Sequence, residues 1–571
     1  MDSFIQTVTD VNSAVNGVVW GIPMLVLIIA TGIYMTVGTK FFQIRHAKHV
    51  NDETLFAIFK KKSVTKSKEK KAISQFQALS TALAATIGTG NIAGVATAIT
   101  IGGPGAVFWM WFSAFFGMMT NYSENVLGIY FRRKNPEGEW SGGAMYYLRD
   151  GLNNKIGKIL AVLFAIFCVI ASFGIGNMSQ VNSISVAMND FFNVPLLVTG
   201  IVLMLFAGLV IIGGIKRIGQ VTEKLVPFMA IAYIVGAIII VCINIKAVPG
   251  VLVSIFKGAF GYKAAAGGIV GAAIKQAATM GFKRGVFSNE AGLGSSVMVH
   301  SASNVKEPVV QGMWGIFEVF ADTIVVCTLT ALVILSTGVV SPLDVKTENI
   351  GLVSCTQQML DDRKADSIKK LNLYDLPIEN VEYSDDLKID EKTQILVALD
   401  DDNNIKGVLN TDTDVVISID EKEGSDTYGQ PLEGVPFVSA AFSHGFGKYA
   451  GGFIAIAILL FAFSTVLGWS FYGTKAFEFL FGTKATVIYK VIFVLFIVVG
   501  ATMNLSLAWD LSDTFNALMA IPNLIGVLTL SGTVFAITRN YIKRKMKGDT
   551  MIQPMLSYFP DIQAEQEEKE D

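Results

Sequence analysis

Charged residues are scarce in this chain of 571 residues: only 16% are Asp, Glu, Lys or Arg, whereas 52% are hydrophobic. A soluble globular protein carries about 25% charged residues. The scarcity is uneven, because seven long runs contain no charged residue at all. Each run reaches the roughly 18 apolar residues that identify a membrane-spanning helix, which excludes a string of soluble domains and predicts a polytopic, all-α membrane protein. The seven runs are 16–38, 159–188, 193–215, 225–245, 449–474, 491–509 and 514–538.

Cysteine and histidine are also rare, with four of each. Three of the cysteines lie in apolar stretches, so no disulfide framework is predicted. The pair His46-x-x-His49 has helical spacing, but it lies in a basic loop that offers no third metal ligand. The sequence contains no metal-hydrolase, phosphate-loop or nucleophile motif, so we expect no enzyme.

Four further segments are long and apolar but carry a few polar residues, which brings the predicted spans to eleven: 78–101, 104–131, 265–299 and 309–338. If the spans alternate in direction, the basic clusters between them and after the last one all fall on one side. Because such clusters mark the cytoplasmic side, we predict a multi-pass protein of the cell membrane with its N-terminus outside and its C-terminus in the cytoplasm. We expect the basic loop 40–71 to meet anionic lipid headgroups and not nucleic acid.

One polar segment, 341–435, interrupts the membrane pattern on the predicted outer side. It holds 22 acidic and 9 basic residues. Gln394–Leu399 and Val415–Ile419 resemble short strands, so we predict a small α+β extracytoplasmic insertion. The Asp-rich string 400–404 is predicted as the turn between them. It lacks the Gly and distal Glu of a calcium loop, so a solvated turn is favoured over a cation site.

Two predicted spans contain glycine-rich strings mixed with Thr, Ser and Asn, at 84–94 and 281–294. Each Gly costs about 1 kcal/mol relative to Ala inside a helix, so both strings predict local unwinding. Unwound backbone at membrane depth is tolerated only where it lines a cavity or is buried in protein. The alternative is a glycine surface for close helix packing.

The two breaks lie five spans apart, in spans that cross in opposite directions. They therefore divide the chain into two inverted five-helix units, 78–245 and 246–340 with 436–538, flanked by 1–77 and the tail 539–571. This arrangement indicates a secondary transporter whose site lies at the bilayer midplane. A half-helix N-terminus attracts an anionic group, and the carbonyls of the opposing end can hold a cation such as Na⁺.

Several motifs now make a family recognisable. The strings 81–94, 102–111, 138–147, 287–294 and 519–523 resemble, in order, those of the sodium:alanine (alanine or glycine:cation) symporter family. The resemblance implies a LeuT-like 5+5 inverted repeat with two broken helices, and uptake of alanine, glycine or a similar small neutral amino acid coupled to Na⁺ or sometimes H⁺. The family's connection at 341–435 is usually short, so the insertion departs from its pattern.

The resemblance also implies site residues. The string 87–91 is similar to the unwound string in the first core helix of LeuT-fold amino-acid transporters. By that similarity, the backbone N–H groups of Thr89 and Gly90 would hold the substrate carboxylate, while carbonyls of Ala84 and Ile87 would face Na⁺.

The span that covers 449–474 supplies a matching face. Phe461, Ser464, Thr465 and Trp469 recur at helical spacing, and two hydroxyls beside a carbonyl-lined break suit Na⁺. The family fold places a sodium ion there. The alternative is that both hydroxyls bond back to their own helix. Trp469 would cap the apolar side of the substrate and leave room only for a small side chain.

A polar face in the span 159–188 carries Phe173, Asn177 and Gln180 at helical spacing. Gln180 is a candidate hydrogen-bond partner of the substrate, and contact between helices is the alternative. The candidate substrate-binding residues are Thr86, Gly88, Thr89, Gly90, Asn91, Phe173, Gln180, Phe287, Ser288, Asn289 and Trp469, and the candidate Na⁺ ligands are Ala84, Ile87, Phe461, Ser464 and Thr465. Six ionisable residues lie in or near spans, and each is a functional hypothesis: Glu124, Lys283, Arg284, Glu290, Asp322 and Asp510. The alternative is that they form inner salt bridges or lie at the cytoplasmic gate.

The leading interpretation is Na⁺-coupled symport of alanine or glycine by alternating access, with Na⁺ bracing the broken helix. An H⁺-coupled carrier, or one for a larger amino acid, is the first alternative. A channel or amino-acid sensor whose acidic outer domain reads the ligand is the second. Enantiomer preference, stoichiometry and oligomeric state stay open.

Overall fold

The computed structural model describes residues 2–67, 69, 71–260, 269–342, 350–354, 381–383, 394–399, 405–410, 415–419, 432, 434–503 and 506–568. The chain is mainly helical. Its first half contains α1 (Asp2–Val19), α2 (Ile22–Gly38), α3 (Phe42–Arg45), α4 (Ala47–Glu53), α5 (Leu55–Lys60), α6 (Lys62–Thr65), α7 (Gln75–Thr86), α8 (Val95–Gly102), α9 (Gly105–Tyr130), α10 (Ala144–Tyr146), α11 (Lys155–Phe173), α12 (Ser179–Phe192), α13 (Leu196–Ile211), α14 (Gly214–Ile243) and α15 (Val248–Phe260).

The second half continues with α16 (Ile269–Asn289), α17 (Val297–His300), α18 (Pro308–Val319), α19 (Thr328–Ser336), α20 (Gly434–Phe446), α21 (Ala450–Phe481), α22 (Thr486–Thr502), α23 (Ser506–Thr529), α24 (Ser531–Tyr541) and α25 (Pro560–Glu568). Wider π-helical turns occur at Gly90–Gly94, Tyr147–Gly151, Gly174–Met178, Phe320–Cys327 and Ile542–Met546. Two 3₁₀ turns lie at Gly447–Tyr449 and Thr483–Ala485.

Among the described residues, six helical segments are long and apolar enough to cross a membrane: Val11–Gly38, Lys155–Phe192, Gly214–Ile243, Pro308–Ser336, Gly434–Phe481 and Thr483–Thr502. Two bent pairs bring the total to eight, namely Gln75–Thr86 with Gly90–Gly102, and Asp513–Thr529 with Ser531–Met546. The multi-pass prediction is thus confirmed. All eleven predicted spans overlap a helix, but eleven crossings stay a prediction.

The sequence did not predict α15 and α20 as separate helices. The bounds also differ where a helix continues past the apolar run: α14 begins at Gly214, whereas the predicted span begins at 225. Its first turns carry charged residues, which lie beyond the charge-free window that the sequence criterion detects.

Helix α7 begins and ends for identifiable reasons. Ser74 accepts a hydrogen bond from the backbone of Gln77, and the Gln77 side chain accepts one from Ser74 N, which is a reciprocal capping box. The helix stops at Ile87, whose ψ of 88° is not helical. The chain resumes as a π turn at Gly90 and then as α8, with a 54° bend between the two halves. The predicted first break is therefore present.

The polar insertion forms a six-stranded antiparallel sheet in the order β3-β8-β7-β6-β4-β5. Its strands are β3 (Val340–Pro342), β4 (Ile350–Ser354), β5 (Val381–Tyr383), β6 (Gln394–Leu399), β7 (Ile405–Asn410) and β8 (Val415–Ser418), and β1 (Arg133–Lys134) and β2 (Trp140–Ser141) form a separate hairpin. Strand 394–399 matches its prediction, and 415–419 is one residue too long. The sequence missed β7, which follows the predicted turn directly; the turn 400–404 lies outside the described residues.

The segments that carry the predicted cytoplasmic charges contact one another. Lys71 Nζ donates to Glu137 O at 2.5 Å in the β1–β2 hairpin, and Lys134 pairs with Glu565 of the C-terminal helix at 2.6 Å. Arg544 forms two hydrogen bonds with Glu307, at 2.8 and 2.9 Å. The loop 40–71, the hairpin and the tail therefore share one face of the molecule.

Candidate functional site

The first break exposes backbone N–H groups inside the protein, and two side chains meet them. Asn91 Oδ1 accepts a hydrogen bond from Gly88 N at 3.0 Å. Gln180 Oε1 faces Thr89 N at 3.5 Å and accepts a bond from Thr89 Oγ1 at 3.2 Å. All four residues lie in the interior. An amide oxygen thus faces the N–H that the resemblance assigns to a substrate carboxylate.

Oxygen atoms of α21 lie against the same break. Ser464 Oγ donates to Ala84 O at 3.2 Å and to Phe461 O at 2.8 Å, and Thr465 Oγ1 donates to Phe461 O at 3.1 Å. A Cβ atom placed on Gly88 would lie only 2.5 Å from Thr465 Oγ1, so that hydroxyl abuts the unwound turn. Both hydroxyls bond back to their own helix, as the alternative expects, and Ser464 also reaches across to the broken one.

The second break is present, at the C-terminal end of the predicted string 281–294. Residues 281–289 are helical, and the chain leaves the helix at Glu290, Gly292 and Gly294, whose φ angles are 57°, 94° and 73°. Gly281 and Gly285 instead let α16 pack closely on α9, because a Cβ on Gly281 would lie 2.5 Å from Ala106 O. The first part of the glycine string therefore forms a packing surface, and its last part forms the break, so both interpretations apply.

Asn523 of α23 holds this second break. Its Nδ2 donates to Gly292 O at 2.8 Å and also to Glu124 Oε1 of α9, while Tyr147 Oη donates to Asn523 Oδ1. A Cβ on Gly294 would collide with the Asn523 side chain at 2.6 Å. Asn523 ends the motif 519–523, but sequence reasoning assigned no role to it.

One buried carboxylate joins the two broken helices. Asp322, in the π turn Phe320–Cys327, accepts bonds from Asn91 Nδ2 at 2.7 Å and from Ser288 Oγ at 2.7 Å. Its neighbour Thr323 accepts a bond from Asn289 Nδ2 at 3.1 Å. Asn289 Oδ1 in turn accepts Ala291 N at 3.0 Å, just as Asn91 caps Gly88.

Four further candidate residues lie at or beside the two breaks. The Phe287 ring is next to Gly90, where a Cβ would lie 3.2 Å from it. Trp469 is buried, and its Nε1 donates to Glu290 Oε1 at 3.0 Å, so it reaches the second break. Thr86 Oγ1 donates back to Ala82 O at 3.3 Å, and the buried Ile87 ends α7.

Only part of the predicted common face of Phe173, Asn177 and Gln180 is present, because Phe173 and Asn177 both contact α22 whereas Gln180 contacts the first break. Phe173 packs on α22, where its ring lies 5.4 Å from Tyr489, and Asn177 Nδ2 donates to Phe493 O at 2.7 Å. The π turn Gly174–Met178 lies between Phe173 and Gln180 and changes the helical phase. Gln180 therefore faces the first break while Phe173 does not join it.

The sequence named Asp322 and Glu290 only among several ionisable residues. The sequence pointed to them because each is a charged residue inside an apolar span. Placing a charge there costs free energy, so such residues are usually functional. That signal could not choose among them, because the choice depends on which helices pack together. No pattern in the sequence pointed to Thr323.

Comparison with known proteins identifies the family of this chain. The model of the sodium:alanine symporter family matches residues 5–367 and 407–554. The unmatched stretch 368–406 falls within the insertion and is shorter than the departure predicted at 341–435.

Named relatives align over nearly their whole lengths. The chain is 40% identical over 531 residues to the sodium/alanine symporter AgcS of Methanococcus maripaludis, covering 93% of this chain and 96% of that protein. It is 32% identical to the probable sodium/glutamine symporter GlnT of Bacillus subtilis (95% and 92% covered). It is also 32% identical to the putative sodium/proton-dependent alanine carrier protein YrbD of Bacillus subtilis (94% and 93%). The chain therefore belongs to the sodium:alanine symporter family and is a multi-pass membrane transporter.

Proposed function

We propose that this protein carries out Na⁺-coupled symport of a small neutral amino acid, alanine or glycine, by alternating access. The observation that carries the proposal is the convergence of buried oxygens at the first break. The carbonyls of Ala84 and Phe461 and the hydroxyls of Ser464 and Thr465 meet there, away from solvent. Oxygen donors of this kind suit a hard cation.

The donor set fits Na⁺ chemically. The hydroxyl protons of Ser464 and Thr465 currently satisfy the carbonyls of Ala84 and Phe461, and each hydroxyl keeps lone pairs free. With Na⁺ bound, carbonyl and hydroxyl oxygens together would replace part of the ion's hydration shell. Because Ala84 belongs to α7 and Ser464 to α21, the ion would hold the broken helix against its neighbour.

The substrate would bind beside the ion. Thr89 N–H and the Gln180 amide form one polar end, since the amide oxygen already occupies an acceptor position that a carboxylate oxygen could take. The rings of Phe287 and Trp469 form the apolar side. Two large rings in a buried site leave space for a small side chain, which favours alanine or glycine over larger residues.

The names of the relatives bear on the substrate: two name alanine, and one names the larger glutamine, which keeps a carrier for a larger amino acid as an alternative. AgcS is named a sodium/alanine symporter and GlnT a probable sodium/glutamine symporter. YrbD is named sodium/proton-dependent, which keeps H⁺ coupling as the second candidate.

We further propose a LeuT-like 5+5 inverted repeat. Its first unit is 78–245, and its second, inverted unit is formed by 246–340 and 436–538. In its support, Asn91 and Asn289 play parallel parts in the two breaks: each caps a backbone N–H and each reaches the same π turn. The shared face of the loop 40–71, the hairpin and the tail supports a cytoplasmic C-terminus. We place the protein in the cell membrane with the insertion 341–435 outside.

The test is flux into reconstituted vesicles. Labelled alanine should accumulate above its external concentration under an inward Na⁺ gradient, and accumulation should vanish when K⁺ replaces Na⁺. A panel of amino acids then ranks alanine, glycine and glutamine. Accumulation driven by a pH gradient alone would favour the H⁺ carrier, and binding without accumulation would favour the sensor.

A further inference from the structure

A small cavity of about 90 Å³ lies apart from the two breaks. The β1–β2 hairpin lines it together with the adjoining ends of α13, α14, α21 and α22. Phe471 and the turns of α21 that follow it face the cavity, whereas Ser464 and Thr465 do not. Because the hairpin forms part of the wall, the cavity lies on the face that the hairpin shares with the loop 40–71 and the tail.

Five charged side chains line this cavity, and two of them are paired with each other: Lys475, Lys490, Glu137, Glu139 and Glu478. Lys475 is buried, and its Nζ donates to Glu478 Oε2 at 2.8 Å. The same nitrogen also donates to Ser141 Oγ of the hairpin at 3.0 Å. This pair leaves Lys490 and the two glutamates of the hairpin.

Lys490 of α22 forms no hydrogen bond or ion pair with another residue that the structure describes. It lies close enough to Glu137 and Glu139 to interact with both electrostatically. Glu139 Oε2 lies 3.8 Å from Lys475 Nζ, and Glu137 is exposed at the surface. A lysine on a membrane-spanning helix without a fixed counter-ion is a functional hypothesis. The cavity thus offers one free ammonium group on α22 and two carboxylates on the hairpin.

The remaining wall of the cavity is mainly apolar and includes Ile211, Ile215, Ile218 and Phe471. A closed cavity of about 150 Å³ accommodates benzene in another protein. A cavity of about 90 Å³ that opens to solvent beside the exposed Glu137 therefore suits a molecule no larger than alanine or glycine.

The charges of the wall select the class of occupant. A simple anion would meet the glutamates as well as Lys490, and a simple cation would meet Lys490. The described residues include no group of three or more His, Cys, Asp or Glu side chains that could hold a metal ion. A zwitterion satisfies both signs, because its carboxylate can accept from Lys490 and its ammonium group can donate to Glu137 and Glu139.

We propose that this cavity is a second amino-acid site, which binds a small neutral amino acid as its zwitterion on the face that we place in the cytoplasm. Lys490 Nζ donates to the carboxylate, and Glu137 and Glu139 accept from the ammonium group. The isoleucines of the wall contact the short side chain. None of the proposed Na⁺ ligands lines the cavity, so this binding does not need Na⁺.

Occupancy of this site would slow transport, and this part of the proposal rests on the proposed function. The hairpin is already tied to α21, since Ser141 Oγ donates to Glu478 Oε1 at 2.6 Å. A bound amino acid adds a bridge from the hairpin to Lys490 of α22. Alternating access requires the elements of the cytoplasmic face to separate, and this bridge holds them together. The internal product would therefore inhibit its own further uptake.

The first test measures equilibrium binding of labelled alanine to the full-length protein in nanodiscs, with K⁺ in place of Na⁺. We expect one saturable site per chain in the wild type and binding weaker by about tenfold or more in Lys490→Met, which loses a hydrogen bond between charged groups. Lys484→Met is the matched control, because Lys484 is exposed just before α22 and does not line the cavity, and it should keep wild-type binding. No saturable binding in K⁺, or an unchanged affinity in Lys490→Met, overturns the proposal.

A panel of competitors tests the same site in the wild type and does not depend on how a variant folds. Unlabelled alanine and glycine should displace the label in K⁺. Lactate lacks the ammonium group and alaninamide lacks the carboxylate, so neither should displace it at comparable concentrations. Displacement by lactate or alaninamide as strong as that by alanine overturns the assignment of a zwitterion site.

The second test compares Na⁺-driven uptake of labelled alanine into vesicles with and without unlabelled alanine inside. Internal alanine should lower the initial rate in the wild type and in Lys484→Met, and it should not do so in Lys490→Met. An equal response of Lys490→Met and the wild type overturns the regulatory role. Absence of Na⁺-driven uptake in the wild type would instead overturn the proposed function, while binding in K⁺ still decides the cavity site.

Discussion

Asp322 and Asn91 form a buried hydrogen bond of 2.7 Å that joins the first broken helix to the π turn in the span Pro308–Ser336. Asp322 also accepts from Ser288 at 2.7 Å and from Thr323 at 2.8 Å. Two of these donors, Asn91 and Ser288, lie on the two broken helices, so one carboxylate joins elements that are separate in sequence. The two breaks therefore do not move independently while these bonds persist.

Replacing Asp322 with Ala should destabilise the protein and abolish alanine uptake. Asn91, Ser288 and Thr323 would keep buried donors without this acceptor, at a cost of about 3 kcal/mol or more in the free energy of unfolding. Asp322→Asn is the matched variant, because its amide retains the shape and can bond all three partners. Thermal unfolding in detergent should rank wild type above Asn and Asn above Ala. An Ala variant as stable as the wild type would show that this bridge contributes little.

Gly88→Ala should reduce Na⁺-driven uptake on the order of tenfold to a hundredfold, the effect of displacing a binding group by about 1 Å. The new Cβ would lie 2.5 Å from Thr465 Oγ1, so the hydroxyl must move. Gly94→Ala, six residues later, places its Cβ no nearer than 4.0 Å to Arg284 and should retain uptake. Equal activity of the two variants would contradict the placement of Thr465 at the break.

Gly176→Ala should disturb the apolar side of the proposed substrate site. A Cβ there would lie 2.3 Å from Trp469 Cβ, forcing the indole away from Glu290. We expect a higher KM for alanine by about tenfold, since the loss of one good buried contact is worth roughly 1.4 kcal/mol. Gly250→Ala, which meets nothing within 4 Å, is the control and should leave the KM unchanged. An unchanged KM in Gly176→Ala would contradict the proposed contact between Trp469 and the substrate.

Local sequence patterns predicted the features that depend on local composition. Apolar runs located helices, six to eight of which are long and apolar enough to cross a membrane among the described residues. The string 84–94 located the first break to within a few residues, because glycine and polar residues weaken a helix wherever it lies. The oxygens of Ser464 and Thr465 could be placed on one face because α21 is a regular helix from Ala450 to Phe481.

The failures arise where the structure departs from regular periodicity or depends on packing. Phe173 and Gln180 lost their common face because a π turn, which no composition rule marks, lies between them. Gly281 and Gly285 stayed helical because α9 packs against them. The bond between Asp322 and Asn91 joins residues 231 positions apart, so no spacing in the sequence could indicate it.

The most direct test of the proposed coupling is the Na⁺ dependence of alanine uptake in the double variant Ser464→Ala, Thr465→Ala. Ser470→Ala is its control, because that buried hydroxyl of the same helix donates only to Leu467 O, at 2.6 Å, among the described residues. We predict that the half-saturating Na⁺ concentration rises by about tenfold or more in the double variant, as expected for a loss of roughly 1.4 kcal/mol in Na⁺ binding, and stays at the wild-type value in the control. An unaltered Na⁺ dependence in the double variant would contradict the proposed ion site.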